Sequence, residues 1–494
     1  MKKPVFNPYL PSWEFIPDGE PHVFGDRLYV YGSHDEPKGT TFCPGDYVVW
    51  SAPVDDLSDW RCEGISYRKE QDPLNGAPYN GVLPELDPFM GTLELPHLLY
   101  APDVAQGPDG RYYLYYSLDF TNVISVAVSN SPAGPFEFLD YVRTADGTIP
   151  NVGRWFDPAI LSEESGNYLY YGFAPAFRFP GMGNDPFPGA QMVKLADDMH
   201  TIISEPVCVA NGIDTCKGTC YEGHPFFEAS SIRKLNGRYY FVYSSLQGNE
   251  LCYGTADTPV GPFEFGGVIH SNGDLGYKGN TLPVTYTGNN HGGLVQIGDD
   301  VYIFGHRQTH GTGFSRQGVA EKVVIMPDGS IPQVEITSCG LNGGPLPAKG
   351  NYQSYIACHL TEKDRSKVGH VLEPGPGREL PEFTPEMPYI TEEESIAWEK
   401  GLKPYIANLC DGATTGFKYL SFDGTESSIT LELRGSGSIK VTLDEPNGSV
   451  IAELSHNSED WETAKTPLTG TTGTHALYIT TTGGQLDFAS FTIA

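Results

Sequence analysis

Five ionisable residues recur at a nearly fixed distance ahead of five aromatic segments, and four of the five are carboxylic acids. Asp18 lies thirteen residues before Tyr31, Asp103 thirteen before Tyr116, Asp157 fourteen before Tyr171, Glu228 fifteen before Tyr243 and His291 thirteen before Phe304. Carboxyl groups gathered in one pocket do proton chemistry. Burial and mutual repulsion hold one of them protonated as an acid, while another stays ionised as a base. One Asp ahead of a strand is an ordinary turn former. Five positions in one register, each followed by an apolar stretch, point instead to side chains converging on a common funnel.

The elements that must position them are legible as a repeat. Gly25–Ser33, Asp109–Ser117, Ser165–Gly172, Asn236–Ser245 and Gly298–His306 each read as a turn followed by an aromatic strand, and each contains an aromatic residue followed by Gly or Ser. Asn-Gly and Asp-Gly pairs are hairpin signals, and the aromatic and β-branched residues after them suit strands. Successive markers are 85, 55, 72 and 61 residues apart, about the length of four strands with their loops. That is one blade of a β-propeller. A second echo, Ser131–Phe138 against Thr258–Phe265, falls at the outer part of two blades. The expected fold is all-β, a five-bladed propeller with the ionisable residues at the starts of its innermost strands.

Composition agrees. The chain has 494 residues, 12% of them aromatic, with 58 Gly and 40 Pro, which suits short strands and tight turns in more than one domain. The net charge of −31 disfavours nucleic acid, anionic membrane surfaces and polyanionic substrates, and suits a small neutral partner. No stretch approaches the roughly 18 apolar residues of a membrane span. The N-terminal Met-Lys-Lys-Pro-Val-Phe-Asn-Pro has no apolar run of the signal-peptide kind, which gives the expectation of a cytoplasmic protein. Nine scattered Cys do not form a disulfide framework, and Cys216, Cys220 and His224 fall short of a zinc pattern. Oligomeric state is left open.

Several stretches resemble glycoside hydrolase family 43: Asn7-Pro8, Pro17–Phe24, Leu28–Asp35, Tyr100–Val104, Phe156–Ile160 and Phe227–Ile232, in that order over residues 1 to about 340. The resemblance implies a five-bladed propeller that hydrolyses glycosidic bonds with inversion. Asp18 would be the base, Glu228 the acid and Asp157 the residue that raises the acid's pKa. Such a bond breaks when one carboxylic acid protonates the leaving oxygen and a carboxylate activates water on the opposite face. Glu20 precedes the proline here, where the family shows Asp-Pro, and so rivals Asp18. The resemblance also makes His291 an axial residue that contacts a calcium ion or water, and Arg316 a reader of substrate hydroxyls. No cofactor is required, and a structural calcium at the axis is left as an option. Asp103, Trp155 and Phe156 are further candidates for substrate contact. The implied activity is exo-acting release of α-L-arabinofuranose from neutral oligosaccharides, with β-D-xylosidase and β-D-galactofuranosidase activity as alternatives. A non-catalytic carbohydrate-binding propeller is the reading outside catalysis.

Boundaries follow from composition. Residues 1–360 are assigned to the propeller. Residues 361–395, rich in Pro, Glu and Gly and including Glu373–Gly377, read as a linker. Residues 396–494 alternate polar and apolar, as in Ser428–Leu433 and Ser438–Leu443, which is a β-sandwich pattern. Asp411–Phe422, Trp461–Thr463 and Gly473–Tyr478 resemble carbohydrate-binding module family 6. Trp398 and Trp461 are its tryptophan candidates for sugar contact.

Overall fold

The computed structural model describes residues 5–76, 96–119, 121–150, 153–176, 186–371 and 387–494. Five antiparallel sheets surround one axis. Blade 1 is Glu20–Phe24, Arg27–Tyr31, Tyr47–Pro53 and Arg61–Tyr67. Blade 2 is Asp103–Gln106, Tyr112–Ser117, Ile124–Ser129 and Glu137–Tyr141. Blade 3 is built on Ala159–Glu163, Gly166–Tyr171, Gly189–Leu195 and Val207–Asn211. Blade 4 is Phe226–Leu235, Arg238–Ser245, Glu250–Ala256 and Glu264–Ser271. Blade 5 has three strands among the described residues, Leu294–Ile297, Asp300–Thr309 and Thr312–Val323. The first strand of each blade packs on the first strand of the next, and that of blade 5 returns to blade 1. Closure is reinforced at the N-terminus, where the Asn7 side chain donates to Ala320 O (3.0 Å) and accepts from Ala320 N–H (3.0 Å).

The aromatic repeat has a packing cause. Apolar clusters lie between neighbouring blades rather than in one central mass. The markers Tyr31, Tyr116, Tyr171, Tyr243 and Phe304 all lie on second strands and are at most 2% exposed. Burying a side chain of the Phe class contributes about 1.5–3 kcal/mol, so one large ring per blade face is an effective spacer. In blades 1 and 5 the glycine after the marker makes room for the loop that carries the ionisable residue: a Cβ on Gly305 would sit 2.9 Å from Asn290 Oδ1, next to His291. A Cβ on Gly32 would sit 2.3 Å from Pro17 O, next to Asp18. Gly172 donates to Phe156 O (2.9 Å), next to Asp157.

The C-terminal part is a β-sandwich with the long strands Ser428–Leu443, Ser449–Pro467 and Thr472–Ile493, the first of which buries alternate residues at Ile429, Leu431 and Leu433. Its pairing begins ahead of the compositional boundary at residue 360. Leu346 pairs with Leu420, Gly350 with Ile493 and His359 with Gly416. These strands are two to four residues long and flanked by Pro and Gly, so composition alone marks them as loop. Of the expected linker, Glu373–Gly377 lies outside the described residues, while Tyr389–Glu394 is a sandwich strand paired with Leu402–Cys410. That strand reaches the propeller: Glu392 Oε2 lies 2.5 Å from His310 Nε2, and its Oε1 lies 3.9 Å from Lys38 Nζ.

Candidate active site

Asp18 stands two residues before the inner strand of blade 1, in left-handed backbone (φ 56°), and its side chain is buried. Arg316, on the third strand of blade 5, donates from Nη1 to Asp18 Oδ1 (3.0 Å). The guanidinium is fixed from the other side by Asp35, through Nε to Oδ2 (2.8 Å) and Nη2 to Oδ1 (3.0 Å), and the Phe42 ring covers it at 4.8 Å. Behind Asp18, His306 Nε2 lies 2.7 Å from Asn289 O, which places the ring proton there, so Nδ1 accepts the Asp18 N–H (3.3 Å). Burial pushes His306 down to about 3, so the ring is neutral. Burial also works against ionisation of Asp18, but the Arg316 charge overrides it and holds the carboxyl below its usual range.

Glu228 is the third residue of blade 4's inner strand. Irregular register flanks it on both sides and Ala229 is left-handed (φ 67°). A bulge of this kind re-aims a side chain, here into the funnel. Asp157 sits two residues before the inner strand of blade 3, again left-handed (φ 46°) and buried. Its Oδ2 accepts the Ala229 N–H (2.9 Å), which pins the bulge that aims Glu228. Burial, followed by the charge of Asp18, pushes Glu228 up to about 8, with Arg316 opposing. Asp157 is driven well above the carboxylate range by burial and then by Glu228 and Asp18. The cation therefore favours ionisation at Asp18, while burial and like-charge repulsion push both Glu228 and Asp157 towards the protonated form. The repulsion between Asp157 and Glu228 has the sign expected of a residue that raises the acid, and Asp157 in addition orients the strand that carries Glu228.

His291 lies between the catalytic and axial groups, with Nδ1 3.8 Å from Asp157 Oδ2 and Nε2 4.0 Å from Glu20 Oε1. Burial pushes it down to about 4. Its Nε2 and Glu20 Oε1 are buried without hydrogen-bond partners among the described residues. Calcium takes about six to eight oxygen ligands. One carboxylate oxygen and one imidazole nitrogen are a small part of that set, so an ion held here would depend on water for most of its ligands.

The remaining candidates separate. Glu20 turns away from the funnel mouth, bonded to Arg233 (2.7 Å) and Ser231 (3.1 Å), and burial pushes it up to about 8. Asp103 is 0% exposed and fully engaged, with Oδ1 2.6 Å from His22 Nε2 and Oδ2 accepting the Ile160 N–H (2.8 Å). It belongs to the support beneath the site rather than to a substrate surface. Trp155 is buried and stacked on Tyr171 at 3.9 Å, inside the core between blades 2 and 3, so it too leaves the substrate list. Phe156 points the other way. With Tyr100 (5.7 Å) and Phe173 (5.2 Å) it forms a partly exposed wall that continues to Phe227, 5.4 Å from Phe173 and beside Glu228. Aromatic faces of this kind pack against the apolar faces of sugar rings. Asp35, His306, Phe42, Phe173 and Phe227 were not assigned roles from sequence. Asp35 closes the resembling stretch Leu28–Asp35 and Phe227 opens the stretch Phe227–Ile232, and those positions are the signals available for them.

Arg316 carries the heaviest electrostatic load. Arg316→Met would leave Asp18 and Asp35 buried without a cation, and removing one partner of a buried pair costs about 3–5 kcal/mol. A shift of the urea midpoint at neutral pH measures this, and a loss within the range of about 0–1 kcal/mol typical of surface pairs would show that the clamp is not needed for folding.

In the sandwich, Trp461 is already engaged. Lys403 Nζ lies 3.9 Å and the Arg434 guanidinium 4.5 Å from its ring centroid, Tyr405 meets it edge-on, and its indole N–H donates to Glu393. Its ring serves as a strut between strands.

Comparisons with known proteins agree with this geometry. The family model described as "Glycosyl hydrolases family 43" matches residues 20–331, and "Carbohydrate binding module (family 6)" matches residues 394–494. A "Xylosidase/arabinosidase" of Thermoclostridium stercorarium is 46% identical over 100% of this chain and 99% of its own. An "Arabinoxylan arabinofuranohydrolase" of Paenibacillus polymyxa is 26% identical over 95% of this chain and 70% of its own. Among solved structures, a family 43 arabinoxylan arabinofuranohydrolase of Bacillus subtilis covers 99% of this chain and 97% of its own at TM-score 0.50 and 21% identity, which bears on fold. A beta-xylosidase/alpha-arabinofuranosidase from a compost microbial metagenome, solved with xylotriose in a calcium-free form, covers 67% of this chain and 97% of its own at TM-score 0.50 and 25% identity.

Proposed function

Since the chain belongs to glycosyl hydrolases family 43 and is a glycoside hydrolase, we propose that it is an inverting exo-glycosidase that releases α-L-arabinofuranosyl and β-D-xylosyl units from neutral oligosaccharides. The observation that carries this reading is the geometry of the carboxylates: Asp18 is ion-paired to Arg316, which favours its ionised form, and Glu228 is aimed from a bulge pinned by Asp157 beside an aromatic wall, with burial and the charge of Asp18 favouring its protonated form. Glu228 donates its proton to the leaving oxygen. Asp18 takes a proton from the attacking water, held by Arg316 and by the lone pair of His306. Asp157 keeps the Glu228 bulge in place and, by like-charge repulsion, helps keep the acid protonated. Phe156, Phe173 and Phe227 exclude water from the sugar's apolar face, which strengthens the charge interactions inside. The dual specificity is supported by the name of the relative that matches over the full length. It also fits the chemistry, because the two pentosyl units present similar hydroxyls. The sandwich acts as a buttress, through Glu392, on the Lys38 loop and the His310 hairpin that lead into Asp35, Phe42 and Arg316.

The test is hydrolysis of nitrophenyl α-L-arabinofuranoside, β-D-xyloside and β-D-galactofuranoside, with the first-formed anomer followed by NMR. Turnover of the first two with inversion is expected. Turnover of the galactofuranoside alone would replace the substrate assignment, and a retained anomer would overturn Asp18 as a base.

A further inference from the structure

Further along the inner strands from the catalytic carboxylates lies a second set of ionisable groups that the chemistry above does not use. Glu20, His22 and Asp103 bring ligand atoms within 4.8 Å of one another, an arrangement suited to a metal. The cation among them is a side chain. Arg233, from blade 4, donates from Nη2 to Glu20 Oε2 (2.7 Å) and to Pro21 O (2.9 Å), and the same nitrogen lies 3.1 Å from His22 Nε2. Its Nη1 donates to Ile232 O (2.7 Å). Around it, His22 meets Asp103 (2.6 Å), Asp103 accepts the Ile160 N–H of blade 3, and Ser231 donates to Glu20. Blade 5 closes the circle from His291, 4.0 Å from Glu20 Oε1, and from Gly293, where a Cβ would fall 2.6 Å from Glu20 Oε2.

We propose that Arg233 is the resident cation of the propeller axis, tethered in the place a divalent metal would take, and that this chain is therefore independent of calcium. Both Asp103 oxygens are occupied by hydrogen-bond partners, one Glu20 oxygen is held by Arg233 and Ser231, and His22 is bonded to Asp103. A metal would have to break these bonds and sit against a guanidinium that never loses its charge. What remains, Glu20 Oε1 and His291 Nε2, offers a single side-chain oxygen, so a calcium ion there would draw nearly all its shell from water while facing the fixed Arg233 charge. The planar fork also joins partners on two blades at once, a geometry a spherical ion does not specify.

Three measurements decide this: metal content by mass spectrometry after exhaustive chelation, Tm with and without added calcium, and kcat/KM on the same samples. Wild type is expected to carry substoichiometric metal and to show the same Tm and kcat/KM in chelator and in calcium. Arg233→Met, which removes the charge, is expected to lower Tm by several degrees and to gain a calcium-dependent rise that wild type lacks. Arg233→Lys is expected to lie between the two. A wild type that loses Tm or activity on chelation and regains it with calcium would overturn the proposal. So would a Met variant as stable as wild type or unresponsive to calcium, or Lys and Met variants that are equally impaired. If the Met variant does not fold, the wild-type chelation result decides alone.

Discussion

Glu228→Gln is expected to lower kcat/KM on an oligosaccharide with an ordinary sugar leaving group by about 10²–10⁴-fold, the usual contribution of general acid catalysis. The loss should shrink on nitrophenyl substrates, whose leaving group needs little protonation. That dependence on the leaving group separates loss of an acid from loss of a fold. The pH profile offers a second check with a definite sign. Burial and the charge of Asp18 push the Glu228 carboxyl up to about 8, so the protonated, active form persists through neutral pH and is lost as pH rises past that value. In the Gln variant this alkaline limb should disappear. Asp18, held low by Arg316 against burial, sets the opposite limb, and activity should fall only when acid reaches below the ordinary Asp range. A wild-type profile that declines between pH 5 and 7 on its alkaline side would contradict the acid assignment.

Asp18→Asn should be at least as damaging, about 10²–10⁴-fold in kcat, and here the loss should be the same for activated and ordinary leaving groups, because the water must be deprotonated in both. Glu20→Gln is the control that resolves the rivalry between the two residues. Glu20 is buried and tied through Oε2 to Arg233 and Ser231. Its substitution should change Tm more than kcat. Azide, a small nucleophile that needs no deprotonation, should restore turnover to Asp18→Asn and leave Glu20→Gln unaffected. Rescue of Glu20→Gln instead would transfer the base assignment to Glu20.

The propeller was legible because its repeat has a packing cause. Rings such as Tyr116 and Tyr243 fill the seams between blades, and in blades 1 and 5 the Gly after the ring makes room for the loop that carries an ionisable residue. The sandwich was legible through the alternation in Ser428–Leu443. The register in sequence did not reveal which ionisable residues face substrate. Asp18 and Asp157 occupy left-handed turns two residues ahead of their strands, whereas Asp103 is the first residue of its strand, paired with Tyr115, and is directed into the support. A single step of chain likewise separates Trp155 in the core from Phe156 in the wall, because consecutive residues at a strand entrance face opposite sides. Asp35 was hidden for a different reason. Its partner Arg316 is 281 residues away, and nothing local in either stretch signals the pair.

The short strands between Leu346 and Thr361 bear on how such a chain could be rearranged by recombination. They follow the stretch matched by the hydrolase model and precede the stretch matched by the binding-module model, yet they are sewn into the sandwich at Leu420, Ile493 and Gly416. A breakpoint in the obvious seam near residue 360 would export the hydrolase with orphaned edges exposed to aggregation. It would also strand the sandwich without part of its sheet. Gene shuffling can therefore separate the two only with the seam placed before Leu346, ahead of the change in composition.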